Sequence, residues 1–439
     1  MQSSTYKNNL SPQVEHLLII FLGISPLFVL TIGGWMSTML FLTSVLSTYL
    51  LFNINKSTIG KVGVTYDSNN TWQLLLILAL TSPLLATFLG HLLRNSWNWP
   101  DYDTPSRFVF AIPIFFIVFK RQLPILKYWQ WAIPLTIIIT WILLPYLPKT
   151  GWANDPTRLT TSAVDPLTFG RICLTFSLIS LFLIPLNKHK VWLITAIQMI
   201  GMIIGFYLSI RSGSRTGWLA FPIVIMLLFI AYGPKNKLVG LAIAALISIG
   251  GTVTAYQLSN TIRDRTNIAI SEIQGYKFKE LNPDNSVGMR ISFARMGFYY
   301  FSLSPFAGNT KEDLIKHKND PEITQYATAF TRDFPINSQF HNEFTTNTVK
   351  NGIWGFISTA LIFFIPLGIF ISGLCKPNAK KIALVGIAYL ICELISAMTT
   401  EVIGLKFTAS LYSILITCLC AAVLYMMSTD NIGEAKIKN

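Results

Sequence analysis

Charge is scarce in this chain. Charged side chains make up 12% of 439 residues, whereas a soluble domain carries roughly a quarter. The deficit is concentrated in apolar runs such as 72–93, 191–210 and 238–258. Each reaches the ~20 residues a helix needs to cross the hydrocarbon core. In lipid, backbone groups must be satisfied within helices or a closed barrel. These runs are apolar on every face and lack the alternation of barrel strands, so they read as helices. A soluble class is excluded.

Cysteine is also scarce. Cys173, Cys392, Cys418 and Cys420 fall in apolar runs, and Cys375 sits in a short Lys-rich connection. That distribution excludes a disulfide scaffold, and the residues read as small apolar fillers. No cysteine has histidines at metal-ligand spacing, and no Asp-rich or Glu/His cluster appears, so no metal site is expected. A cleavable leader is missing as well. The first apolar stretch runs through Gly33-Gly34 into another without a small-residue cleavage site, and is expected to stay as the first helix.

Twelve candidate spans lie near 15–32, 35–52, 72–93, 107–119, 131–147, 169–186, 191–210, 217–232, 238–258, 353–374, 382–399 and 407–427. The fourth has about a dozen apolar residues before Lys120-Arg121. It needs snorkelling, or continuation through Gln122, to cross. Between the ninth and tenth spans lies one polar segment, 259–352, of a size that usually carries function. An even number of spans puts both termini on one side. The tails and the loops on their side hold 15 of the 34 basic residues, the short opposite connections 8 and the long segment 11. Long loops translocate regardless of charge, so 15 against 8 decides, with the termini cytoplasmic and the long segment outside. The expected architecture is an all-α integral membrane protein. A nine-span bundle covers 1–258, a partly helical loop domain bearing active-site residues covers 259–352, and three spans with a short tail cover 353–439.

The type of basic residue divides with the faces. Fourteen of the fifteen cytoplasmic positives are Lys, while eleven of the twelve arginines fall on the outer side. Either residue satisfies the positive-inside bias, so arginine outside asks for another reason. Its planar fork binds phosphate at two points and keeps its proton. Two readings stand: solvated or carboxylate-paired groups, or several arginines converging on a phosphate-bearing ligand.

Three segments could carry chemistry. The first, 209–218, reads SIRSGSRTGW and sets Arg211 and Arg215 at the outer end of the seventh span. Such a turn offers backbone N–H groups beside guanidinium groups, which suits a polyanion or a plain interfacial anchor. The second, 285–309, reads NSVGMRISFARMGFYYFSLSPFAGN. Its spacing is helical, with Arg290 and Ala294 on one face, and its aromatic residues suit either a membrane interface or packing. Arg290 near the helix start opposes the dipole unless it binds something. The third, 337–355, reads NSQFHNEFTTNTVKNGIWG, with His341 followed by Asn342 and Glu343 shortly before a span. His341 is either a structural histidine or a general base with an unperturbed pKa near 6.5.

Taken in order, these segments resemble the bacterial O-antigen ligase and polymerase superfamily, which includes protein O-oligosaccharyltransferases. The resemblance covers roughly residues 205–365, with a looser echo at 399–412. On it, the family's arginine at the seventh-span turn falls on Arg215. The second, in a Gly-x-Arg pattern followed by a helix and Ser-Pro-Phe, falls on Arg290. The His-Asn-Glu motif falls on His341, Asn342 and Glu343. Glu401 stands where the ligases carry Asp, and Lys406 where a later Arg is usual. Arg211 has no counterpart and is at most a supporting residue.

The resemblance implies transfer of a glycan from undecaprenyl pyrophosphate to an acceptor hydroxyl at the periplasmic face of a bacterial inner membrane. The reaction would be inverting and metal-independent, with no cofactor. Arg215 and Arg290 would bind pyrophosphate and His341 would take the acceptor proton. The implied partners are the lipid-linked glycan donor, a lipid A-core or protein Ser/Thr acceptor and membrane lipid, with no nucleic acid. Ligase, protein O-oligosaccharyltransferase and polymerase share the donor chemistry. The short tail after the last span, without an appended domain, leans towards a ligase. A lipid-linked glycan flippase would bind its substrate near the midplane. Glu393 is the clearest carboxylate within a span, but the arginines crowd one face, which favours an enzyme.

Overall fold

The computed structural model describes residues 10–53, 70–154, 157–187, 191–215, 217–258 and 260–438. The basic connections 54–69 and 188–190, the N-terminal tail 1–9 and Thr216 of the arginine-bearing turn lie outside the described residues. Among the described residues there are helices and no strand, with a single β-bridge between Thr161 and Val164. The bundle begins with α1 (Leu10–Ile24), α2 (Trp35–Phe52), α3 (Asn70–Arg94), α4 (Asp103–Arg121) and α5 (Ile125–Leu143). It continues with α6 (Pro166–Leu183), α7 (Val191–Arg211), α8 (Ala220–Tyr232) and α9 (Lys237–Leu258). The polar segment forms α10 (Asn260–Gly275), α11 (Ser286–Leu303), α12 (Lys311–His317), α13 (Pro321–Thr324) and α14 (Ala329–Asn337). Last come α15 (Glu343–Leu374), α16 (Lys380–Ala397) and α17 (Lys406–Lys438).

Among the described residues, nine of these helices are long and apolar enough to cross a membrane. The other three expected spans are helices below that measure. α1 and α8 have 15 and 13 residues, and α16 carries Lys380, Lys381 and Glu393 among its 18. α1 stops at Ile24, earlier than its apolar run, because Pro26 lacks the amide donor a continuing helix needs. The fourth span is not short after all. It gains length before residue 107, through a 3-10 turn at Trp99–Tyr102 and the start of α4 at Asp103. Gln122 does not extend it but ends it, in the left-handed region at φ 56°.

α6 is buried along nearly its whole length, as a helix apolar on all faces should be. Small residues let its neighbours close on it. A side chain at Gly205 of α7 would run into Ser177, and one at Gly170 would meet Ser212 and Ser214. α6 is also tied to α16 by an ion pair between Arg171 and Glu393, both almost wholly buried.

The polar segment has a small core of its own, including Phe293, Met296, Tyr300, Ile323, Phe340 and Val349. It joins the bundle through α15, whose backbone leaves helical geometry at Asn351 and Gly352. Gly352 has φ 60°, and a Cβ there would lie 2.6 Å from the Pro305 carbonyl oxygen, so only glycine fits. The break frees carbonyls that must find new donors. Asn309 N donates to Val349 O at 2.8 Å, and Arg94 Nη1 donates to Lys350 O at 2.8 Å and Ala307 O at 2.9 Å. The arginine at the end of α3 therefore holds the kink and the adjacent loop together.

Candidate active site

α7 ends at Arg211 and the chain turns through Ser212, Gly213 and Ser214 to Arg215. Gly213 takes φ 65°, a left-handed conformation that glycine adopts without strain. Arg158 and Arg265 close over it, and Arg158 Nε donates to the Ser212 carbonyl at 2.9 Å. Arg215 Nη1 donates to the Arg265 carbonyl at 2.8 Å. Its Nη2 donates to Ser286 Oγ at 3.1 Å, and Arg290 Nη1 donates to the same oxygen at 2.7 Å. A hydroxyl has two acceptor lone pairs, so Ser286 can serve both guanidinium groups at once. Ser286 opens α11, where Asn285 caps the helix by accepting from Gly288 N at 2.7 Å. Arg290 follows one turn later.

This is an electropositive corner. Burial holds the Arg290 guanidinium below its ordinary pKa, and the charge of Arg215 adds to that effect while Glu272 opposes it. Arg215 is lowered too, by burial and by Arg265, again against Glu272. Glu272 itself accepts from Val287 N at 2.9 Å. The Arg290 Nε is buried without a partner among the described residues. Positive charge in excess of local carboxylates, with planar forks, fits a diphosphate.

His341 lies between α14 and α15, with its ring packed against the stacked pair Phe293 and Phe334 at centroid distances of 5.9 and 5.2 Å. Phe293 is one turn beyond Arg290 on α11, so a single helix carries both the arginine and a wall of the histidine pocket. His341 has φ 50°, uncommon for a non-glycine residue and held here by the packing around it. Its Nδ1 is buried without a partner among the described residues. Among the described residues the ring is thus set by aromatic packing, without a carboxylate hydrogen-bonded to Nδ1. Burial pushes its pKa down to about 4, the Arg290 charge adds to the shift, and Asp165 opposes it. The value near 6.5 read from the sequence is corrected accordingly: the free protein holds a neutral imidazole well below pH 7.

The other nominated residues do different work. Asn342 caps α15 by accepting from Thr345 N at 3.0 Å, and its amide donates to Met398 O at 3.1 Å. Glu343 is fully buried, and its Oε2 accepts from Val402 N at 2.7 Å, Ile403 N at 2.9 Å and Gly404 N at 3.3 Å. Its Oε1 accepts from Asn347 at 2.9 Å. Glu343 therefore anchors the loop between α16 and α17 to the base of the histidine segment. Glu401 is buried in that loop. Burial pushes its carboxyl up to about 7, with Lys350 opposing and Glu343 adding to the shift. Lys406 is paired with Asp103 at 2.5 Å. Arg211 is exposed, and its backbone carbonyl accepts from Leu159 N at 3.0 Å. The structure thus brings Arg215, Arg290 and His341 together around α11, and sets Asn342, Glu343 and Glu401 behind them.

Sequence reasoning counted Arg158 and Arg265 only among the outer arginines, gave Ser286 no role beyond the start of the helix, and passed over Phe334. The cap signal at Asn285-Ser286 marks the start of α11, but the contact from Ser286 to Arg215 spans 71 positions and leaves no local trace.

Residues 199–360 match the family model described as O-antigen ligase, a stretch that holds Arg215, Arg290 and His341. An uncharacterized protein of Haemophilus influenzae is 25% identical over 315 residues, covering 70% of this chain and 76% of the relative. The many apolar helices make this a multi-pass membrane protein, and its residues 199–360 are similar to the O-antigen ligase family.

Proposed function

We propose that this protein is an O-antigen ligase that moves a glycan from undecaprenyl pyrophosphate to a lipid A-core sugar at the periplasmic face of a bacterial inner membrane. One observation carries the reading: two partly buried guanidinium groups share the Ser286 hydroxyl beside a neutral imidazole. Arg215 and Arg290 grip the pyrophosphate. The acceptor oxygen attacks the anomeric carbon of the donor glycan as its bond to the pyrophosphate oxygen breaks. The electron pair leaves with the lipid pyrophosphate, whose growing charge the arginines stabilise. The acceptor proton passes to His341. Asn342, Glu343 and Glu401 position the segment that carries the histidine. The charge split of 15 against 8 supports cytoplasmic termini, with residues 259–352 as a periplasmic loop domain between two membrane parts. A flippase loses its best residue, because Glu393 is already paired with Arg171.

The test is transfer by the purified protein in detergent, with lipid-pyrophosphate-linked glycan, EDTA and no nucleotide. Lipid A-core, a Ser/Thr-bearing protein and a second lipid-linked repeat are offered in parallel. We expect transfer to lipid A-core, largely lost in Arg215→Lys and Arg290→Lys because Lys lacks the two-point fork, and kept in Arg263→Lys. Transfer to protein or to the lipid-linked repeat instead would make this an oligosaccharyltransferase or a polymerase. No transfer to any acceptor would sink the enzyme reading.

A further inference from the structure

At the end of α11 away from the arginine pair lies a cavity of about 610 Å³ that the proposed chemistry does not use. Leu303 lines it and Arg290 lies thirteen residues earlier on the same helix. At 1.5 Å per residue the two are on the order of 20 Å apart. The cavity is therefore remote from any bond formed beside His341.

Its lining combines donors and acceptors with little net charge. Arg94 brings a buried Nε that has no partner among the described residues, while its Nη1 is committed to two carbonyls. Glu312, exposed at the start of α12, offers two acceptor oxygens. Ser96 and Ser304 supply hydroxyls that both give and accept. His317, also in the wall, keeps Nδ1 on Asp320 at 2.8 Å. A phosphate would meet the carboxylates of Glu312 and Asp313, and a cation would meet Arg94. A neutral ring bearing many hydroxyls meets neither obstacle, and its carbon face suits Leu303.

We propose that this cavity is a saccharide subsite that holds sugars of the glycan remote from the bond being made. It rests on the glycan-transfer reading for the source of the sugar, and it deepens that reading. Binding energy from a remote part of a substrate can be used at the reacting centre, so its loss appears in the rate as well as in affinity.

The experiment uses the full-length protein in detergent and soluble oligosaccharides released by mild acid from the cell's own lipid-linked glycan. Saturation-transfer NMR reads binding without any need for transfer. We expect signal on the wild type, at least a tenfold weaker apparent affinity in Glu312→Gln and in the cavity-filling Ser304→Phe, and no change in Arg290→Lys. Glu312→Gln alters only an exposed carboxylate, so it decides the matter even if Ser304→Phe misfolds. In transfer assays Glu312→Gln should lower kcat/KM at least tenfold for a many-repeat donor and less than twofold for a single-repeat donor. No signal on the wild type, or equal signal in both variants, overturns the subsite. Displacement of the sugar by equimolar glycerophosphoethanolamine would reassign the cavity to a lipid headgroup and overturn it too. Sugar binding that survives while no acceptor is glycosylated would count against the transfer reading alone.

Discussion

Burial against Phe293 and Phe334, together with the charge of Arg290, keeps the His341 ring neutral far below the pH at which a free histidine titrates. A base must be unprotonated to accept, so kcat/KM, which reports the free enzyme, should stay flat from pH 8 to about 5 and fall as pH drops through about 4. Bound pyrophosphate brings negative charge that offsets Arg290, so the inflection in kcat should lie higher. Steady-state profiles check both. A kcat/KM that already falls at pH 6.5 would contradict the buried ring. His341→Ala should lower transfer by roughly 10²–10⁴-fold at normal protein levels. Ser286→Ala leaves two guanidinium groups without their common acceptor. Hydrogen bonds to charged groups contribute roughly 1.5–3 kcal/mol, so activity should fall about tenfold or more, with Ser286→Thr restoring most of it. At this scale the sequence named Arg215, Arg290 and His341 through motif order and residue chemistry. It could not assign the roles of Ser286 or Phe334, because those roles come from contacts between segments far apart in the chain.

α15 is read most simply as a polar turn followed by a span, and its break at Asn351-Gly352 falls where the apolar run begins. The apolar run was legible, but the kink's dependence on Arg94, Asn309 and Pro305 was not, because those partners come from α3 and the loop after α11. Gly352→Ala combines positive φ with a backbone clash, so it should destabilise the protein by about 2–4 kcal/mol. Thermal unfolding in detergent, followed by size-exclusion fluorescence, would measure it. An unchanged midpoint would show that the break is not held by that packing. The fourth span teaches the same lesson from the other side. Its apolar core is short, and the missing length comes from the polar start of α4, where Asp103 pairs with both Arg107 and Lys406.

Across the whole molecule, the Arg171–Glu393 pair joins α6 to α16 with both side chains almost wholly buried. Breaking a buried pair leaves a lone charge, so Glu393→Ala should destabilise by about 3–5 kcal/mol. Replacing both partners with Met should recover most of that stability, and unfolding midpoints for the cycle would show it. Should the double variant prove as unstable as the single one, the pair has a role beyond charge balance. Orientation is tested with single cysteines. One near Asn319 should react with an impermeant maleimide added from the periplasm, and one near Asn378 should not. The reverse pattern would put the arginine corner on the wrong side of the membrane. Membrane character and the site's position beside the polar segment were legible in hydropathy and charge. The pairing of α6 with α16 was not, since a carboxylate within an apolar run does not reveal its partner.

The kink in α15 also fixes a phase. His341 precedes the helix and Gly352 interrupts it, so the turns between them act as a ratchet linking the pocket to the span. Each residue of an α-helix advances about 1.5 Å and turns about 100°, following from 3.6 residues per turn. One residue added or lost between Thr345 and Lys350 would swing the histidine segment to another side of the axis and unseat Glu343 from the amides of Val402 and Ile403. The length of this stretch is as fixed as the buried side chains of Glu343, Thr346 and Val349 that it carries.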